Sequence, residues 1–172
     1  MNFAEYTDLI NTRLQRNFDT ERDITILDQQ MQLYAKSEIH NESYFASKKV
    51  KVWRAEIYEY CFVKCYESLD DKNVEDFQQF LVSAVDYLVK PHTEHMSSII
   101  TGIMVVDDIP QDLEKKISGF KHRKTYAFSF KGWADVRLLA VSLHSNRVIS
   151  NRKGKEVENF YLPFKIEDKK SI

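Results

Sequence analysis

Ser97–Val106 reads SSIITGIMVV, and its apolar residues fall on both alternating sets, Ile99, Ile103 and Val105 against Ile100, Met104 and Val106. A strand of this kind buries its side chains only when it is covered on both sides, which predicts a central strand of a sheet with layers packed above and below it. ADVRLLAVSLH, Ala134–His144, has the same character and predicts a second strand of that kind.

Working outward, Phe77, Phe80, Leu81, Ala84, Val85, Leu88 and Val89 form a wide apolar stripe at helical spacing. Asn73 is the expected N-cap, Asp76 suits the first turn, and Pro91 stops the helix. Phe3, Tyr6, Ile10, Leu14 and Phe18 predict an earlier amphipathic helix. Alternation from Leu27 to Ile39 predicts a half-buried strand, and YFASKKVKVW and IYEYCFVKCY predict two more, with RAEI as the loop of a hairpin between them. IPQDLEKKISG reads as a short helix, KTYAFSF as a strand, and SNRV and NRKGKE as turns around a further short strand. The order is α-β-β-β-α-β-α-β-β: one α+β domain over 1–164, a mixed sheet of five to six strands with helices packed on it, and a charged tail over 165–172 that is expected to fray.

Composition agrees with one folded domain. The chain has 172 residues, 43% of them hydrophobic, with only four glycines and three prolines. Its 25 basic and 26 acidic residues leave a formal charge of −1, so any basic site must be local. Neither a signal peptide nor a run long enough to span a bilayer is present, so a cytoplasmic location is expected, with no membrane association. Cys61 and Cys65 on one strand lie about 13 Å apart and read as reduced core residues.

Four clusters carry chemistry-bearing side chains. In KPHTEH, His92, Glu94 and His95 are metal-ligand or acid/base types, although adjacent side chains at a helix-to-strand junction diverge. A polar turn is the expectation there unless His95 meets Asp107 or Asp135. In the expected hairpin Trp53 faces Tyr58, Lys51 faces Tyr60 and Lys49 faces Phe62, a strip of rings and cations that could stack unpaired bases. KHRK, Lys121–Lys124, and NRKGKE, Asn151–Glu156, are basic turns without the glycine spacing of a phosphate loop. In SFKGWADVR, Lys131, Gly132 and Trp133 mark a tight turn or bulge. Asp135 and Arg137 share a strand face there, where mutual pairing would account for two charges on an apolar strand.

The order α-β-β-β-α-β resembles the core of the PD-(D/E)xK nucleases, which implies a metal-dependent phosphodiesterase. That family needs an acid two residues before a lysine on the third strand, and CFVKC places Phe62 there before Lys64. LYAKSEIHNESYFASKKVKVW, KPHTEHMSSIITGIMV, FSFKGWADVRLL and NRKGKEV together resemble a family of small uncharacterised proteins from Gram-positive, clostridia-like bacteria. That resemblance implies a bacterial cytoplasmic origin and no particular activity. With no nucleophile elbow, phosphate loop or metal spacing in the chain, the expectation is a non-enzymatic binding or regulatory domain without a cofactor, acting through a macromolecular partner. A protein partner or homodimer is favoured. The alternatives are a metal-dependent hydrolase with a divergent site, and a single-stranded nucleic-acid binder, which the net charge does not favour.

Overall fold

The doubly apolar stretch is the middle of the sheet. In the computed structural model, which describes residues 1–44 and 51–164 and only the backbone over 40–44 and 51–55, β4 is His95–Val106 and runs parallel to both of its neighbours. These are β3, Lys51–Cys65, and β6, Trp133–Ser142. On the far side of β3 lie β2, Gln29–Tyr44, and β1, Asp19–Ile26, as an antiparallel meander. The outer edge of β6 is shared by two short antiparallel strands, β5 at Arg123–Thr125 and β7 at Arg147–Ser150. The result is a single α+β domain with a seven-stranded mixed sheet ordered β1-β2-β3-β4-β6-β5, β7 also pairing with β6.

Helices cover both faces. α2, Asp71–Leu88, connects β3 to β4 and packs on the face carrying Phe62, Ile100, Met104 and Val136. The Phe80 ring meets Phe62 edge-on at 5.1 Å and stacks beside Phe77 at 5.8 Å. Gly102 makes this approach possible, since a Cβ there would stand 2.6 Å from both Leu81 methyls. α3, Glu114–Gly119, adds Ile117 to the same core. On the opposite face α1, Phe3–Leu14, packs Tyr6, Ile10 and Leu14 against Val63, Ile103, Val105, Leu139 and Val141. It is tied to the chain's later part by Tyr6, whose hydroxyl donates to the Tyr161 carbonyl at 2.8 Å.

Several local expectations are corrected. β1 was absent from the sequence pattern, because its turn to β2 is Leu27-Asp28 rather than Asn-Gly; both residues have positive φ, 47° and 60°, as the favoured two-residue hairpin turn requires. Leu27 therefore belongs to a turn, and Ile39 is exposed rather than inward. RAEI is not a hairpin loop: β3 runs straight through Arg54–Ile57, and its partner β2 sets Trp53 opposite Ser43, Tyr58 opposite Glu38, Tyr60 opposite Lys36 and Phe62 opposite Tyr34. Residues 45–50, including Lys49, and the side chains of Lys51 and Trp53 lie outside the described residues.

The N-cap of α2 is Asp70, not Asn73. Asp70 accepts from the Asn73 amide at 2.6 Å while the Asn73 side chain accepts from the Asp70 amide at 3.1 Å, a reciprocal capping box that satisfies two orphan donors. α1 stops at Leu14, four residues before Phe18. KTYAFSF is strand only to Thr125, and then becomes a turn.

Candidate functional site

One residue decides where His95 points. Glu56 pairs with His95 and Ile57 with Ser97, so Met96 is an extra residue bulged out of β4. The bulge puts His95 on the α2 face together with Tyr58 and Ser98; without it, strand alternation would send the imidazole to the other face. The ring is 4% exposed. Its Nδ1 lies 2.7 Å from the Lys131 carbonyl, which can only accept, so Nδ1 carries the proton and Nε2 accepts from the Ser98 hydroxyl at 2.9 Å. A hydroxyl beside an imidazole held by a third group has the geometry of an activated nucleophile. Ser98, however, is 1% exposed, so no substrate reaches it, and the pair works as a buried latch.

His92 faces a different partner. Its Nδ1 accepts from the Glu94 amide at 3.3 Å, leaving Nε2 to donate to Glu56 at 3.0 Å. The Tyr58 hydroxyl donates to the same carboxylate at 2.7 Å, and burial together with that carboxylate holds the Tyr58 phenol above its ordinary pKa. Among the described residues, no three His, Cys, Asp or Glu side chains converge as a metal's ligands.

The latch closes on an exposed loop. After β5 the chain turns through Tyr126–Gly132, closed at its base by the Tyr126 amide donating to the Gly132 carbonyl and the Lys131 amide donating to the Tyr126 carbonyl. Ala127, Phe128 and Ser129 all sit in the left-handed region, at φ 48°, 52° and 72°. Each costs about 1 kcal/mol or more for a residue bearing a Cβ. What that strain presents is two rings with almost no contact to the protein, Phe128 at 96% exposure and Phe130 at 87%. Gly132, at φ 78°, allows the loop to settle on β4, since a Cβ there would meet the Met96 carbonyl oxygen at 2.3 Å.

Asp135 and Arg137 are on the opposite, α1 face, and they do not pair with each other. Asp135 lies directly across from Arg123 and accepts from it at 3.4 Å, while the Arg123 guanidinium sits 5.2 Å over the Trp133 ring. Arg137, 8% exposed, donates to Glu156 at 3.0 Å and lies 3.5 Å from Glu59; its Nε has no partner among the described residues. Cross-strand and cross-loop carboxylates come closer than a neighbour two residues along the same strand. His95 therefore does not converge with Asp135, nor with Asp107, whose carbonyl accepts from Ser142 at the far end of the sheet.

Asn151 is the residue that sequence reasoning missed. The edge of β6 between β5 and β7 is completed by this buried side chain, which donates to the Val136 carbonyl at 3.0 Å and accepts from the Leu138 amide at 3.1 Å, imitating a peptide unit. It also donates to the Phe120 carbonyl and accepts from the Gly154 amide. Gly154 serves this packing, since a Cβ there would stand 2.8 Å from Ser150 and 3.1 Å from the Asn151 oxygen. By joining 120 to 154, Asn151 brings KHRK and NRKGKE to the two sides of one cleft of about 530 Å³, with Asp135 and Glu156 in its lining.

Of the expected base-stacking strip, the described part is covered, while the side chains of Trp53, Lys51 and Lys49 lie outside the described residues. Tyr60 and Phe62 lie beneath α2, and Lys64 donates to Gln29 while resting over Tyr66. Phe62 thus fills the position where a nuclease would need an acid. Cys61 and Cys65 are free, and burial pushes both thiols up to about 11.

The chain belongs to DUF8052, a domain of unknown function whose family model matches residues 2–163. No curated protein matches it. No solved structure matches it either.

Proposed function

We propose that this member of the DUF8052 family is a non-enzymatic binding domain of the bacterial cytoplasm, which docks on a macromolecular partner through the Tyr126–Lys131 loop. The observation that carries the reading is the pair Phe128 and Phe130, fully presented to solvent on a backbone that is strained to present them. Isolated exposed leucines need no explanation, but large rings held out by left-handed residues do. Burying both rings in a partner would gain about 3–6 kcal/mol, the scale of an interface hot spot. The latch supports this reading: His95, Gly132 and the loop's own hydrogen bonds hold it in one shape, which lowers the ordering cost of docking.

The partner expected is a protein or a second copy of the chain. Around the tip, Lys121–Trp133 contains no carboxylate, and although Arg123 pairs with Asp135 and Lys124 with Asp86, Lys121 and Lys131 have no carboxylate partner among the described residues, so the partner's rim should be acidic. The same mixture of rings and cations supports a second reading, single-stranded nucleic acid stacked on the two phenylalanines. No helix among the described residues is long and apolar enough to cross a membrane.

A photoreactive phenylalanine analogue placed at position 128 tests the proposal in the source cells, with the same analogue at Tyr87, exposed on α2, as the control. A discrete protein adduct from 128, absent from 87 and lost with Phe130→Ser, is expected. A dimer-sized adduct identifies a second copy, and a nuclease-sensitive adduct selects the nucleic-acid reading. Identical patterns from both positions, or none, would remove the loop from consideration.

A further inference from the structure

Two basic turns thirty residues apart meet across the cleft beside β5, and their charges are unequally satisfied. Arg123 is held by Asp135 and Lys153 by Glu156, at 3.4 and 2.6 Å, and Glu156 also takes Arg137. Lys121 and Arg152 line the same recess and have no carboxylate partner among the described residues. Cations on a convex surface are neutralised by water and salt at little cost; cations facing one recess raise its potential and concentrate anions there. The two carboxylates of the lining do not offset them, because each is already engaged.

A second observation points to the same place. The Nε2 of His122, another lining residue, is buried and has no hydrogen-bond partner among the described residues. Such a group is costly to leave unmatched, and a turn of this partly exposed ring would carry it to an oxyanion in the recess. The cleft's size, about 530 Å³, is that of a site for a small molecule, and the partly exposed Phe120 gives its wall an apolar portion. Asn151 and Gly154 hold the two turns at a set distance, so the recess is preformed.

We propose that this cleft binds a small phosphate monoester. The phosphate is contacted by Lys121 and by the forked guanidinium of Arg152, a match for a dianion that a single carboxylate would not make, and the organic part lies against Phe120. The inference goes beyond the docking loop and does not depend on it.

The test is an amide-resolved NMR titration of the whole chain with phenyl phosphate, with inorganic phosphate in parallel and chloride holding the ionic strength constant. The expected result is saturable perturbation confined to residues near 118–123 and 151–156, tighter for the ester. Lys121→Glu and Arg152→Glu should each weaken binding about tenfold or more. Lys115→Glu, on the exposed side of α3 and outside the cleft, should leave it unchanged. Phe128→Ser should also leave it unchanged, which separates this site from the docking reading. If a charge reversal disturbs the fold, Lys121→Gln and Arg152→Gln replace it with the same expectation in smaller degree. The proposal is overturned by non-saturating shifts, by exclusion of the ester where inorganic phosphate binds, or by Lys115→Glu weakening binding as much as Lys121→Glu.

Discussion

The Nδ1 of His95 donates to the carbonyl of Lys131 at 2.7 Å, linking the first residue of the central strand to the end of an exposed aromatic loop thirty-six residues later. Through this bond a buried imidazole governs a solvent-facing surface. The His92–Glu56–Tyr58 group and the Ser98 hydroxyl surround it on the α2 face and set its orientation.

His95→Ala should destabilise the protein by about 2–3 kcal/mol, since it breaks two buried hydrogen bonds and leaves the Ser98 hydroxyl and the Lys131 carbonyl unmatched. Urea denaturation reads the loss. Hydrogen exchange should show faster exchange over 126–132 than in the α2 core; unchanged loop protection would mean that the loop's own hydrogen bonds are sufficient to hold it.

Phe128→Gly should separate stability from binding. At φ 52° a glycine relieves backbone strain, and the removed ring touches almost nothing, so stability should stay equal or rise by up to about 1 kcal/mol. Partner crosslinking from the same analogue placed instead at position 130 should disappear. Thermal unfolding of this variant beside Phe128→Ala, which keeps the Cβ, distinguishes relief of strain from loss of the ring.

Asn151→Ala should be among the most damaging single changes at the sheet edge, costing about 3 kcal/mol or more. It strands the Leu138 amide and the Val136 carbonyl and unties the two basic turns. Asn151→Asp should fare little better, because a carboxylate cannot donate to Val136 and Phe120. Chemical denaturation checks the magnitudes, and loss of strand-type exchange protection at Leu138 checks the cause.

The pH dependence at the cleft follows from Glu156. The ammonium of Lys153, and then the guanidinium of Arg137, hold its carboxyl below the ordinary glutamate value, while partial burial opposes them. A carboxyl lowered on folding contributes stability that is fully present above its unfolded pKa, about 4.3, and is lost as the pH falls through the lower folded value. Stability of the wild type should therefore decline below about pH 4, and Glu156→Gln should flatten that part of the profile. A parallel decline in both proteins would assign the acid sensitivity elsewhere.

Residue pattern alone determined the central layer. Apolar residues on both alternating sets of Ser97–Val106 and Ala134–His144 can be buried only between two layers, and the stripe from Phe77 to Val89 can be buried only as a helix, so β4, β6 and α2 were legible. These are short-range periodicities, and each is contained in one segment. The features that make the surface depend instead on contacts between distant segments. One bulged residue, Met96, moved His95 to the face opposite Asp135; Leu27-Asp28 made a turn that carries no glycine signal; and KTYAFSF gave up strand pairing after Thr125 because His95 and Gly132 held it in a left-handed loop. The two basic turns looked like separate solvated loops until Asn151 joined them across the edge of β6. Register, bulges and side-chain bridges are chosen by the free energy of the whole packed sheet, and no local stretch of the chain contains that information.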